Sequence, residues 1–404
     1  MATNINSGWN QRITLFLTAQ TISLFGSSLV QYAIIWYITL QTSSGIMLTL
    51  STVCGFLPQI VISLFAGVWI DRYNRKKLIM LADGAIAGST LILAILYCAG
   101  YEDIVLLYPL LLVRAAGTGI QAPAVSALIP QIVPQDKLMK VSGINSSISS
   151  LMMFLSPAAG GVMLSIAPLE TVFMVDVITA VVGISIMLII EVPTLTRPDG
   201  QHNSNWHEIK RGFIYMKEHT FIKRLLMFLF IVLILISPSA FLTPLMVSRS
   251  FGAEVWRLTI SEMTFSAGAL LGGVLIAAWG GFRNRMHTTL LACALYGLFM
   301  IGLGSSPVFI VYLAANFLIG ITMPCFNSPI TVFIQERVDP HMHGRVFSLM
   351  QVSNSCALPL GMMLFGPLGD VIHVENILIG CGLLVMVCAI LAYRVKLSTA
   401  DEWT

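Results

Sequence analysis

Charge is scarce in this chain. Asp, Glu, Lys and Arg make up 10% of its 404 residues, against 56% apolar residues. A soluble domain is about a quarter charged, so the sequence lacks the polar surface that a water-soluble enzyme of this length requires. Net charge is only +3, and the basic residues are spread along the chain rather than gathered in a patch, which excludes a nucleic-acid partner. The seven cysteines (Cys54, Cys98, Cys293, Cys325, Cys356, Cys381 and Cys388) fall in apolar runs and none shows CxxC spacing. Such thiols behave as small hydrophobes and give no sign of a disulfide or a metal. His341 and His343 flank one methionine in a loop, a spacing expected to be solvated, so no metal site is expected. No GxxxxGK[ST] loop is present to cradle phosphate, and the longest non-membrane segment, about 191–222, is too short for a nucleotide-binding domain. With no nucleophile–base constellation either, the chain is not expected to be an enzyme or to carry a cofactor.

Apolar runs fill the remainder. Breaks between them place spans near 12–40, 45–70, 78–99, 103–124, 141–166, 169–190, 222–247, 256–281, 286–304, 307–333, 345–369 and 376–394, each long enough for a bilayer helix of about 20 residues. The first run follows Arg12 directly and is too long for a secretory apolar region, so it is read as a mature span. With the N-terminus inside, nineteen of the 22 Lys and Arg residues fall in cytoplasmic segments, as the positive-inside rule demands. Arg249 and Arg257 are then outside and Arg114 lies within a span. The expectation is a multi-pass protein of the cell's inner or plasma membrane with both termini cytoplasmic.

Between the sixth and seventh spans, Asn205 and Glu208 form a capping-box pattern, and Trp206, Ile209, Phe213 and Met216 recur at helical spacing opposite Lys210, Arg211 and Lys217. This reads as an amphipathic helix in the inner headgroup layer, within a linker over 191–221 that separates six-span bundles at 1–190 and 222–404. Pro123 and Pro134 are matched by Pro329 and Pro340, and Trp69, Asn74 and Arg75 by Trp279, Asn284 and Arg285, at offsets of 206 and 210. Several matches at nearly one offset indicate duplication of a six-span unit, with halves parallel in topology.

The segment from Gly67 through Asp71, Arg72, Arg75, Lys76 and Lys77 closely resembles the signature loop G-x-x-x-D-R-x-G-R-K/R-K/R of the major facilitator superfamily, with Asn74 in place of the second Gly. Asn tolerates the left-handed backbone that the Gly would supply. Arg114 with Gly117 and Gly119 resembles the family's fourth-span Arg motif. Ser156-Pro157-Ala158-Ala159-Gly160-Gly161 resembles its antiporter motif G-P-x-x-G-G, found in drug exporters. Wording elsewhere, including Gly55 to Pro58, Ala82-Asp83, Val175-Asp176 and Gly344 to Ser348, is similar to the macrolide-efflux branch. The resemblance implies an all-α membrane fold of twelve helices in two six-helix halves. Its fourth and tenth spans, with the first and seventh, border a central cavity.

A proton-coupled exporter needs a carboxylate that can be neutral or charged in a low-dielectric setting. Three acids lie inside spans: Asp83, Asp176 and Glu262. Glu262, in the outer half of span eight near Thr264, Ser266, Gly268 and Gly272, is the leading candidate, with Asp176 and Asp83 either carriers or structural hydrogen-bonding groups. Arg114 either tunes a nearby acid or packs its half through carbonyls. Asp71, with Arg72, Arg75 and Arg345, is assigned a gating role, its carboxylate meeting the inner N-terminus of span eleven. Gln20, Gln31, Asn316, Asn327 and Phe326 are the candidate substrate contacts. Few polar groups among many aromatics and methionines suit a large amphiphilic molecule. The expected function is proton-coupled efflux of amphiphilic drugs, macrolides among them, by a monomer in the lipid bilayer. The alternatives are export of a native metabolite such as a siderophore or lipid, or a non-transporting sensor or scaffold on the same fold.

Overall fold

In lipid the backbone must satisfy its own hydrogen bonds, which leaves this chain only helices or a closed barrel. The computed structural model describes residues 8–192, 220–338 and 343–394, and among them the regular structure is helical, with no strand. Twelve long helices follow one another: α1 (Trp9–Thr42), α2 (Gly45–Arg72), α3 (Arg75–Cys98), α4 (Leu107–Ile132), α5 (Leu138–Ile166), α6 (Leu169–Ile189), α7 (Thr220–Phe241), α8 (Val255–Trp279), α9 (Arg285–Gly304), α10 (Phe309–Arg337), α11 (His343–Val371) and α12 (Val374–Arg394). Eleven spans among the described residues are long and apolar enough to cross a membrane, and α11 is the remaining long helix. Leu81, Ile166 and Ile310 are each at least 70% exposed. That is the outward apolar surface that lipid, and not water, accommodates. The protein is a multi-pass membrane protein.

Contacts divide the chain into two compact units. The first is Met1–Thr42, Leu50–Pro198 and Glu254–Thr259; the second is Ser43–Thr49, Asp199–Ala253 and Ile260–Thr404. In the first, α1 packs on α5 and α6, and α3 on α4 and α6. In the second, α7 packs on α11 and α12, and α9 on α10 and α12. The two schemes are the same with six helices added, which is the signature of a duplicated unit. Local detail repeats too. Asn74 caps α3 by accepting from Lys77 N at 3.3 Å, and Asn284 caps α9 by accepting from Met286 N at 3.1 Å. Asn74 has φ −66° and ψ 117°. The sequence argument for a left-handed turn there is therefore corrected: Asn serves as an N-cap, for which its side-chain oxygen is well suited.

Span seven is not one straight helix. α7 ends at Phe241, and a short turn over Thr243–Met246 leads into a π-helical turn at Val247–Phe251 that closes at Gly252 with φ 126°. Pro244 sits in the first turn after the break, where its missing N–H is least costly. The proposed amphipathic helix around Asn205 lies outside the described residues, as do His341 and the side chain of His343.

Candidate functional site

The first unit buries a polar network between α1, α3, α4 and α6. Asp176 on α6 is fully buried and pairs with Arg114 on α4, whose side chain is 5% exposed. Ser27 Oγ donates to Asp176 Oδ1 at 2.8 Å and Thr90 Oγ1 to Oδ2 at 3.0 Å. Arg114 Nη1 also donates to Thr90 Oγ1 at 2.9 Å, and Nη2 to the Ser27 carbonyl at 2.8 Å. A carboxylate and a guanidinium removed from water need such saturation, because attraction alone does not repay their desolvation. Arg114 Nε is buried and has no hydrogen-bond partner among the described residues.

Asp83 on α3 is also buried, but its partners are neutral: the side chains of Gln121 and Ser23. Gln121 Nε2 donates to Gln20 Oε1 at 3.1 Å, and the buried Gln20 Nε2 has no acceptor among the described residues. Asp83 and Asp176 thus differ in kind. Among the described residues one carries a cation partner and the other does not. Both turn inward, toward α1 and α4.

In the second unit Glu262 on α8 is half-buried and makes no hydrogen bond or ion pair with any described residue. Its neighbour Ser261 meets the Tyr312 hydroxyl at 2.8 Å and receives Asn316 Nδ2 at its carbonyl, also at 2.8 Å. Asn316 is therefore engaged in holding α10 to α8. Phe326 is buried, while Asn327 is exposed and Gln31 half-buried, its Nε2 without a partner among the described residues.

The signature loop is partly described. Arg75 Nη1 donates to the Ala127 carbonyl on α4 at 2.6 Å, and Lys76 Nζ to the carbonyls of Leu188 and Ile190 at 3.0 and 2.8 Å. A cation at the last turn of α6 satisfies carbonyls that have no helical donor and meets the negative end of the helix. Beneath this corner lies a core of Ile13, Phe16, Ile79, Leu128 and Met187. Arg72 is exposed, and the side chains of Asp71 and Arg345 lie outside the described set. In the antiporter motif Pro157 is inside α5, Gly160 lies 3.1 Å from the Leu29 carbonyl at the position a Cβ would take, and a Cβ on Gly161 would overlap the Thr259 hydroxyl.

Twelve long helices in two like units, each with an acid inside a span, are the build of a membrane transporter. The sequence matches the profile of the Major Facilitator Superfamily over residues 16–362 and 256–402, and the chain belongs to that family. It is 28% identical over 387 residues to macrolide efflux protein A of Streptococcus pyogenes, covering 95% of this chain and 96% of that one. It is also 28% identical over 322 residues to macrolide efflux protein A of Enterococcus faecalis, covering 79% of this chain and 99% of that one. A POT family transporter solved in complex with 5-aminolevulinic acid shares the fold, with a TM-score of 0.73, 13% identity and 96% of each chain covered.

Proposed function

We propose that this transporter exports amphiphilic drugs, macrolides among them, by alternating access coupled to proton entry. Similarity to two macrolide efflux proteins along most of the chain carries the substrate class and the direction of transport. Glu262 supports the coupling: an intramembrane acid without an ion-pair partner among the described residues is free to change protonation during a cycle. In this reading Glu262 loads a proton from outside and releases it to the cytoplasm. Asp83 and Asp176 are the next candidates, with Arg114 setting the charge of Asp176. Asp71, Arg72, Arg75 and Arg345 gate the cytoplasmic side, and Gln20, Gln31, Asn316, Asn327 and Phe326 meet the drug. Pro157, Gly160 and Gly161 shape α5 for exchange. The protein acts as a monomer in the plasma membrane with both termini cytoplasmic. A pH step of one unit supplies about 1.4 kcal/mol and 100 mV about 2.3 kcal/mol per proton, enough for one proton to sustain a large drug gradient. The test is macrolide efflux from intact cells with and without an uncoupler. Efflux that stops on uncoupling is expected, and efflux that persists contradicts proton coupling.

A further inference from the structure

Asp370, one residue from the end of α11, is gripped by four donors. Its Oδ1 accepts from Gly45 N at 2.6 Å and Arg249 Nη2 at 2.9 Å, and its Oδ2 from Ser44 Oγ and Ile46 N, each at 2.9 Å. Two of these are first-turn N–H groups of α2, which have no helical acceptor and mark the positive end of the helix. Arg249, held out by the π-helical turn after α7, donates Nη1 to the Gly369 carbonyl at 2.5 Å, and Nε and Nη2 to the Ser43 carbonyl at 3.1 and 2.5 Å. Ser43 has φ 47°, a left-handed conformation that costs a non-glycine residue energy and turns its carbonyl to the guanidinium. One turn down α11, a Cβ on Gly366 would overlap the Thr49 hydroxyl, so α2 and α11 touch backbone to side chain. All of these residues lie in the second compact unit, although α2 from Leu50 onward belongs to the first.

The repeat shows what is added here. Gly161 of α5 meets Thr259 of α8 as Gly366 of α11 meets Thr49 of α2, and the offsets, 205 and 210, match those of the duplication to within one residue. At the same offset of 205, Asp370 corresponds to Ser165, which among the described residues bonds only within its own helix, to the Gly161 carbonyl at 2.7 Å. The glycine contact is common to both units, whereas the ionic cluster belongs to one. It is also of a different kind from the Arg114–Asp176 pair. The Arg249 and Asp370 side chains are 34% and 22% exposed, against 5% and 0%, so water and salt can compete for them.

We propose that Asp370 and Arg249 form a breakable latch on the Ser43–Ile46 turn, whose release frees the start of α2 from α11 as a step of the transport cycle. The proposal rests on the transporter reading and on the orientation in which this end of α2 is outside. Its test reads neither drug nor protons. With the seven native cysteines replaced, Thr49→Cys puts a thiol at a buried site under the latch, where a membrane-impermeant maleimide added to intact cells reports opening. Asp370→Asn and Arg249→Gln are expected to raise the labelling rate about tenfold, the loss of a charge-assisted hydrogen bond, with Arg249→Lys in between. Ser44→Ala, which removes one donor of the four and threatens folding least, is expected to raise it about threefold. Unchanged rates in membrane-inserted Asp370→Asn, or in Ser44→Ala should Asp370→Asn fail to insert, overturn the latch even if drug efflux is intact. Labelling confined to inside-out vesicles overturns its outer placement.

Discussion

Arg114 and Asp176 meet in an ion pair from which water is nearly excluded, and Thr90 Oγ1 is bonded to both partners. Removing one member leaves an uncompensated charge among α1, α3, α4 and α6. Asp176→Asn and Arg114→Leu are each expected to cost about 3–5 kcal/mol and to lower the thermal midpoint of the detergent-solubilised protein. The double variant Arg114→Met/Asp176→Leu is expected to recover most of that loss, because an apolar pair of similar volume replaces a desolvated one. A double variant as unstable as either single variant contradicts this.

Glu262 has the opposite character, half-buried and without an ion pair among described residues. Glu262→Gln keeps the shape of the protonated acid and removes its titration. Drug binding is expected to persist within about threefold, a difference under 1 kcal/mol, while uphill efflux driven by a pH gradient is lost. Glu262→Asp is expected to retain part of it. Unchanged pH dependence in Glu262→Gln moves the coupling role to Asp176 or Asp83.

Asp71 is assigned to the inner gate. Asp71→Asn is expected to shift the population toward the inward-open state and slow export several-fold, in line with the ~0.3–1 kcal/mol of a charge near a helix end, with insertion intact. Normal flux at matched expression would leave the loop a purely topological role.

The bias of basic residues sets a topological expectation. Tags at either terminus or within 191–221 should be reached by antibody only after the membrane is permeabilised. A linker tag that is accessible on intact cells reverses the orientation.

Helix number and order were legible because an apolar run of bilayer length has one stable form. The break after Phe241 is not legible, since the run 222–247 stays apolar across it and Pro244 marks it only weakly. At Asn74 a turn and a cap on α3 compete for the same side chain, and the sequence does not separate them. The three acids were visible as charges inside spans, but what separates them was not. The partners of Asp176 come from residues 27, 90 and 114, and those of Asp370 from 44–46 and 249. Contacts so distant along the chain leave no local pattern, and Asp370, just past the apolar run it ends, looks in sequence like an ordinary loop acid.

The central claim is that a proton gradient drives drug through this protein. Purified protein in liposomes with its cytoplasmic face outward and the lumen acidic should accumulate a radiolabelled macrolide, and nigericin, which exchanges protons for potassium, should release it. Accumulation that is indifferent to the pH difference, or that appears only when ATP and a second protein are supplied, would contradict the account.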